Sequence, residues 1–369
     1  MKEFDAVIIG AGPAGLCASI EAASYGVKCL VIDENQETGG QLRKQIHKFF
    51  GSSSHFAGKR GFEIAALLME EAKTKDVAVM TCTRAFGLWE WGENKIITAE
   101  RNGNETVTVE TSYVILATGA RENTLVFSGN TLPGVISAGA AQTMMNLYHV
   151  KPGHKALIVG AGNVGVIVAY QMLLAGIQVA AVIDLSDKAG AYEVHLRKLK
   201  RRGIPVYTRT VLKEVTGKEK VELAVISSVN EKGELVSGTE KKLDVDLVCI
   251  AAGMSPNNQI SKAFGCRQVF EKTIGGMLPV HNRQMETSVP EILVAGDLAG
   301  VEEASTAMDE GRLAGLQIAY KMGYISIQLY ERRKKELEES LSNLRSGSFG
   351  NRRRQAKERV YYSFANSQE

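Results

Sequence analysis

Phe4 to Ile9 is a short apolar run that breaks directly onto Gly10-Ala11-Gly12-Pro13-Ala14-Gly15, after which apolar positions from Leu16 to Tyr25 recur at helical spacing. This order predicts a strand, a glycine turn and a helix. In such a turn Gly10 permits the tight bend, Gly12 lets a pyrophosphate approach the backbone, and Gly15 lets the helix pack closely on the strand. The phosphate charge then sits at the N-terminus of the following helix, where free amide groups and the macrodipole favour it. A second apolar run, Val27 to Ile32, ends on Asp33. That acid lies at the distance where a carboxylate accepts ribose hydroxyls. Asp33 is the expected ribose ligand, with Glu34 as the lesser candidate.

The same pattern returns about 150 residues later. Lys155 to Val159 predicts a strand, Gly160-Ala161-Gly162-Asn163-Val164-Gly165 the turn, and Val166 to Ala175 the helix. Gln178 to Ile183 then ends on Asp184. An acid there repels a 2′-phosphate and accepts from a free 2′-hydroxyl, and Leu185-Ser186-Asp187 brings no arginine. NAD(H) is therefore favoured over NADP(H) at this site. A glycine turn reports phosphate binding and not hydride transfer, so a purely structural nucleotide here stays open.

A length of 369 residues predicts two domains of ordinary size, and 44% hydrophobic with 23% charged residues is globular composition. No apolar run reaches the roughly 18 residues needed to cross a bilayer. The chain enters its first strand through Lys2-Glu3-Phe4-Asp5 with no signal peptide, so a cytoplasmic location is expected. Net charge is +3, yet residues 331–369 hold ten Lys/Arg against six Asp/Glu, so the remainder sums to −1. Glu331 to Glu339 alternates charge at helical spacing, and Gly347 to Gly350 is read as a break before the basic stretch Asn351 to Arg359. Such a run is read as a solvated face, with docking to a partner as the sharper alternative. Nucleic acid is not expected, because aromatic residues in the tail are confined to its end.

Three further segments resemble the pyridine nucleotide-disulfide oxidoreductase superfamily of flavoproteins. Val114-Ile115-Leu116-Ala117-Thr118-Gly119-Ala120 is similar to its strand-to-linker motif, and Leu247 to Gly253 to the counterpart closing its nucleotide domain. Thr287 to Asp297 is similar to its C-terminal FAD motif. The resemblance, covering about residues 4 to 325, implies an α/β fold with two Rossmann-like dinucleotide-binding domains. The second would be inserted in the first and followed by a helical basic C-terminal tail. FAD would be held by residues 1–122 and 254–330, NAD(H) by 123–253, and 331–369 would form the tail. The FAD ligands implied are Gly10, Gly12, Pro13, Ala14, Gly15, Asp33, Glu34, Gly40, Gln41, Thr118, Gly119, Gly296, Asp297, Glu303 and Ala304, with Asp297 on the ribityl chain. Those for NAD are Gly160, Gly162, Asn163, Val164, Gly165, Asp184 and Gly253. Gly39-Gly40-Gln41 stands where the family's chain passes the flavin, although an ordinary turn explains it too. Glu303 and Ala304 stand where the family's last helix begins beneath the ring, although helix capping by Ser305 or Thr306 accounts for the same residues.

The five cysteines, Cys17, Cys29, Cys82, Cys249 and Cys266, form no CxxC or CxxxxC pair. Dithiol chemistry of the thioredoxin reductase or glutathione reductase kind is excluded, because exchange needs a second sulfur within reach of the first. Gly39-Gly40-Gln41-Leu42, Thr118 to Glu122, Leu132-Pro133-Gly134-Val135 and Gly160 to Gly165 bring the chain nearer to the FAD/NAD-type subunits of heteromeric amine dehydrogenases. These include the alpha subunits of sarcosine oxidase and dye-linked proline dehydrogenase and the matching subunits of opine oxidase and hydrogen cyanide synthase. The implied activity is an FAD-dependent, NAD(H)-linked oxidoreductase serving as the electron-transfer subunit of a hetero-oligomer. Its implied partners are a second flavoprotein dehydrogenase subunit, with a small iron-sulfur protein beside it, since no cysteine follows Cys266 to ligate a cluster here. A stand-alone NADH-dependent reductase of ferredoxin, quinone or oxygen, and a non-catalytic nucleotide-binding scaffold, are the alternatives. No side-chain acid or base is expected to be catalytic. The histidines at 47, 55, 149, 154, 195 and 281 are scattered and form no metal pattern.

Overall fold

The computed structural model describes residues 2–92 and 94–366. The chain forms two compact units, Met1–Arg121 with Ser255–Glu369, and Glu122–Met254. In the first unit β1 (Lys2–Ile9), α1 (Pro13–Ala23), β2 (Cys29–Ile32), α2 (Gly61–Thr74) and β3 (Ala78–Met80) are followed by β4 (Thr83–Trp91), β5 (Asn94–Arg101) and β6 (Glu105–Leu116). The sheet runs β3-β2-β1-β6-β5-β4, parallel from β3 to β6 and antiparallel beyond. Val7, Ile8, Leu30, Val31 and Ile32 are wholly buried. These strands are therefore continuous apolar runs, as expected where both faces of a parallel sheet are covered. β5 instead alternates, burying Ile97 and Ala99 between half-exposed neighbours.

A short strand, β7 (Ala120–Glu122), leads into the second unit. There β8 (Val135–Ser137), α3 (Ala138–Gln142), β9 (Lys155–Val159), α4 (Asn163–Leu174), β10 (Gln178–Ile183), α5 (Glu193–Arg201) and β11 (Val206–Tyr207) come first. An antiparallel sheet, β12 (Thr210–Thr216), β13 (Leu223–Ser228) and β14 (Lys241–Asp244), precedes β15 (Leu247–Ile250). The main sheet is wholly parallel, in the order β11-β10-β9-β15-β8. Each unit is thus a Rossmann-like domain, and the second is inserted in the first.

The chain returns through β16 (Met254–Pro256), α6 (Gln259–Ala263), β17 (Gln268–Glu271) and β18 (Gly276–Pro279) to β19 (Ile292–Val294), which pairs in parallel with the end of β6. Then follow α7 (Ala304–Lys321), α8 (Ile327–Leu344) and α9 (Gly347–Ala365). α7 lies directly on α1, since a Cβ at Gly311 would stand 2.1 Å from the Ala14 carbonyl oxygen and one at Gly315 2.2 Å from that of Ala18. Backbones that meet this closely leave room for glycine alone.

The tail departs from the sequence reading in two respects. Gly347 to Gly350 does not break a helix but begins α9. Nor is the tail solvated all round: α8 buries Tyr330, Leu337 and Leu341, and α9 buries Ala356, Lys357 and Val360. Three residues of the expected tail, 367–369, lie outside the described residues.

Candidate functional site

The two glycine turns have matched geometry. Gly10 and Gly160 adopt φ of 110° and 114°, a left-handed conformation that L side chains avoid. A Cβ at Gly10 would stand 2.3 Å from the Ala117 carbonyl oxygen, and one at Gly160 2.2 Å from that of Ala251. Gly15 and Gly165 close on the carbonyls of Gly10 and Gly160 at 1.9 and 2.0 Å by the same measure. The middle glycines differ from these. Gly12 and Gly162 are the N-caps of α1 and α4, and a Cβ on either would meet nothing within 4 Å. Each turn therefore keeps an open cradle before a helix whose first amides have no side-chain cap.

The carboxylates after the second strands are fixed alike. Asp33 Oδ2 accepts from the Ala11 amide at 2.6 Å, and Asp184 Oδ2 from the Ala161 amide at 2.6 Å. Their Oδ1 atoms accept from the amides of Asn35 and Ser186, both at 2.8 Å. Asn35 Nδ2 adds a bond to Asp33 Oδ1 at 2.8 Å, so Asp33 is the more firmly held of the two. Both face the middle of their turns with acceptor capacity left for hydroxyls. Glu34 is exposed. Arg209 comes near the second acid through tertiary structure: its amide donates to Ser186 at 2.9 Å, while its guanidinium lies 3.5 Å from Glu231.

The structure brings Gly39-Gly40-Gln41 over the first turn. The Gly39 amide donates to Ala11 at 2.7 Å, and a Cβ at Gly40 would sit 3.0 Å from Gly12 Cα. Gln41 is exposed beside them. The second turn has a counterpart that the sequence reading missed, for Gly190 approaches Gly162 Cα to 3.9 Å by the same measure. Asn163 Oδ1 fixes this loop by accepting from the Tyr192 amide at 2.8 Å, while Val164 is exposed. Gly253 lies three residues beyond the end of β15, and its carbonyl accepts from the Asn123 amide at 3.0 Å.

Thr118 and Gly119 are clamped by Asn257, also missed. Asn257 donates from its amide to Gly119 at 2.9 Å and from Nδ2 to Thr118 at 3.1 Å, and Thr118 Oγ1 donates to the Asn257 carbonyl at 2.9 Å. Gly296 packs on Ala14, which a Cβ would approach to 2.7 Å, so Asp297 stands near the first turn. Burial, then the like charges of Glu310, Glu303 and Glu302, push the Asp297 carboxyl up to about 7, opposed by one amide, that of Glu302, at 3.4 Å. Glu303 is the N-cap of α7 and Ala304 its first residue, without a side-chain cap. Ser305 and Thr306 lie inside the helix, which removes the capping explanation for this stretch.

One buried cluster was not foreseen. His55 Nε2 lies 2.8 Å from Asp309 Oδ2, and Arg312 Nη1 donates to Asp309 Oδ1 at 2.7 Å. Together with Ser340, which donates to the same carboxylate at 2.6 Å, they tie the loop after Phe50 to α7 and α8. Among the described residues no three His, Cys, Asp or Glu side chains gather as metal ligands, and no helix is long and apolar enough to cross a membrane. Cys17, Cys29, Cys249 and Cys266 are free and buried, and burial pushes the thiols of Cys17 and Cys29 up to about 12.

Both turns suit a dinucleotide: the cradle is one that a side chain would fill, the helix amides lack caps, and a fixed carboxylate faces each. Residues 4–311 match the pyridine nucleotide-disulphide oxidoreductase family.

The chain belongs to that family.

Membership makes it an FAD-dependent oxidoreductase with sites for FAD and NAD(P). An opine oxidase subunit of Agrobacterium tumefaciens is 27% identical over 340 residues, covering 88% of this chain and 67% of that protein. Hydrogen cyanide synthase subunit HcnB of Pseudomonas aeruginosa is 27% identical over 362 residues, covering 92% of this chain and 77% of that protein. Among solved structures, L-proline dehydrogenase from P. horikoshii superposes with a TM-score of 0.68 at 25% identity, covering 90% of this chain and 59% of that one. The chain thus spans about two thirds of the opine oxidase relative, and less of the proline dehydrogenase chain. Like these relatives, this member of the pyridine nucleotide-disulphide oxidoreductase family is akin to subunits of oxidase and dehydrogenase complexes.

Proposed function

We propose that the chain is the NAD(H)-linked electron-transfer subunit of a heteromeric amine or amino-acid dehydrogenase or oxidase. In this reading FAD occupies the unit of residues 1–122 and 254–330, and NAD(H) the inserted unit of residues 123–253. A second flavoprotein subunit would supply the amine site, with a small iron-sulfur protein as a further partner. The observation that carries the reading is the pair of matched cradles, each with an open middle glycine and a fixed carboxylate, in a sequence without a redox dithiol.

Hydride exchange is chemistry that a bound flavin and nicotinamide supply. The residues of this chain bind and orient. Gly12 and Gly162 admit the pyrophosphates to the helix amides, where the macrodipoles favour their charge. Asp33 and Asp184 accept from the ribose hydroxyls while their other bonds hold them in place. Asp297 accepts from the ribityl chain, and Gly40 with Gln41 covers the first cradle. The Asp184 carboxylate supports NADH over NADPH, because it accepts from a free 2′-hydroxyl and repels a 2′-phosphate.

Anaerobic mixing of the purified flavoprotein with NADH tests the reading. Rapid loss of the oxidised-flavin absorbance is expected, with NADPH at least about tenfold less effective, equivalent to about 1.4 kcal/mol. A flavin that NADH leaves oxidised defeats the reading and favours a scaffold. Co-purification with a second flavoprotein separates a subunit from a stand-alone reductase.

A further inference from the structure

The family match ends at residue 311, yet the helices beyond it send three cations back to the flavin-side residues of the first unit. Arg345, at the end of α8, is 6% exposed and donates from Nε to Glu302 Oε1 and Oε2 at 3.1 Å. Its Nη2 reaches Glu302 Oε1 at 2.7 Å and Glu310 Oε1 at 2.5 Å. Lys357 of α9 is 1% exposed, and all three donors of its ammonium are used. Nζ lies 2.6 Å from Glu310 Oε1, 2.9 Å from the Ala299 carbonyl and 3.4 Å from His281 Nε2. His281 Nδ1 lies 2.9 Å from the Pro279 carbonyl, which only accepts, so Nδ1 carries the proton and Nε2 is free to accept from lysine. Burial, then Lys357, holds this imidazole well below its usual range, which keeps it neutral. Arg353 Nη1 reaches Glu303 Oε1 at 3.2 Å.

These contacts converge on one turn. Glu310 Oε2 accepts from the Gly296 amide at 3.1 Å, and Lys357 holds the Ala299 carbonyl, so Asp297 is bracketed on both sides. The acids that the cations neutralise, Glu302, Glu303 and Glu310, are the charges that surround Asp297 and the start of α7. An uncompensated carboxylate there would oppose negative charge on a nearby ligand, and so weak a dielectric screens it little. The tight turn between α8 and α9 fixes the arrangement, since a Cβ at Gly350 would stand 2.4 Å from the Arg345 carbonyl carbon.

We propose that the α8–α9 hairpin is a positioning clasp: Lys357, Arg345 and Arg353 hold the Gly296–Asp297 turn and the start of α7 in the shape and charge balance that favour the reduced, anionic form of a bound flavin. This rests on the first unit being the FAD site. The clasp residues touch no reacting atom and act through Glu302, Glu303 and Glu310.

The test is the flavin midpoint potential, together with FAD affinity of the flavin-stripped full chain, in Lys357→Met and in Lys357→Met with Glu310→Gln. The single variant leaves Glu310 with one cation fewer and is expected to weaken binding of reduced flavin about tenfold more than of oxidised flavin. That lowers the midpoint by about 30 mV for a two-electron couple. The double variant removes the excess charge and is expected to restore most of the loss. Arg353→Gln, at a partly exposed pair, is expected to shift the midpoint in the same direction by less. An unchanged midpoint in Lys357→Met, or in Arg353→Gln should the lysine variant not fold, overturns the clasp while leaving the FAD assignment intact. A lowered midpoint that Glu310→Gln does not restore also overturns it, because packing and not charge would be the cause. Wild-type protein that binds no FAD removes both the assignment and the clasp.

Discussion

Gly12 and Gly162 occupy equivalent places in different units, and neither has a neighbour that a methyl group would strike. Replacing either should therefore leave the fold intact while filling a cradle. Gly12→Val is expected to cut FAD affinity at least about a hundredfold, or about 2.7 kcal/mol, with NADH binding retained, and Gly162→Val to do the reverse. Calorimetric titration of each nucleotide, with circular dichroism as the folding control, checks both. Asp297 gives a pH signature. Its carboxyl, raised from 3.8 to about 7, binds a proton in the folded chain more tightly than in the unfolded one. Between these values the folded state carries more protons, so stability falls as pH rises from about 4 to about 7 and is level above. Thermal melts of flavin-free protein are expected to show this slope, and Asp297→Asn to lack that part of it.

Among the elements, α8 shows how unequal ion pairs are. Arg333 makes a two-pronged contact with Glu21 of α1, Nε to Oε1 at 2.8 Å and Nη2 to Oε2 at 3.0 Å, and Glu21 is 8% exposed. Arg333→Met leaves that carboxylate without its fork, and a loss of about 1 to 2 kcal/mol is expected in urea unfolding. Arg333→Lys should recover only part of it, because a point charge cannot replace planar bidentate geometry. By contrast Lys335 and Glu339 are 78% and 65% exposed at 4.0 Å, and Lys335→Ala should change stability by less than about 0.5 kcal/mol. α8 was legible as a helix because charge alternates at helical spacing from Glu331 to Glu339, whereas the start of α9 was read as a break at Gly347 to Gly350. Which of their cations turn inward was not legible, since Arg345 and Lys357 look like any other basic residue along the chain.

At the scale of the whole molecule, one chain holds two copies of the same strand-turn-helix device, and the same backbone solution appears in each to within a few degrees at Gly10 and Gly160. The copies differ in their surroundings. The first is enclosed by segments far along the chain, with β19, the Gly296–Asp297 turn and α7 all placed against β6 and α1. The second is completed by residues nearer in sequence, Gly190 and the loop fixed by Asn163. The duplicated architecture is why a hydride exchange between two nucleotides is the natural proposal, and the NADH experiment addresses it directly.

The amino-acid order alone showed the strand, glycine turn, helix and acid of each cradle, because the acid and the turn amide it accepts from lie only 22 and 23 positions apart. It also showed that the five cysteines form no CxxC or CxxxxC pair. Folding decided the rest. Asn257 meets Thr118 across 139 positions, His55 meets Asp309 across 254, and Lys357 reaches Ala299 across 58. Contacts of that span leave no periodic trace in a sequence, because the pairing depends on where helices pack and not on how residues are spaced. The basic tail is the clearest instance: its charge was visible from composition, and only the packed hairpin gave those charges their partners.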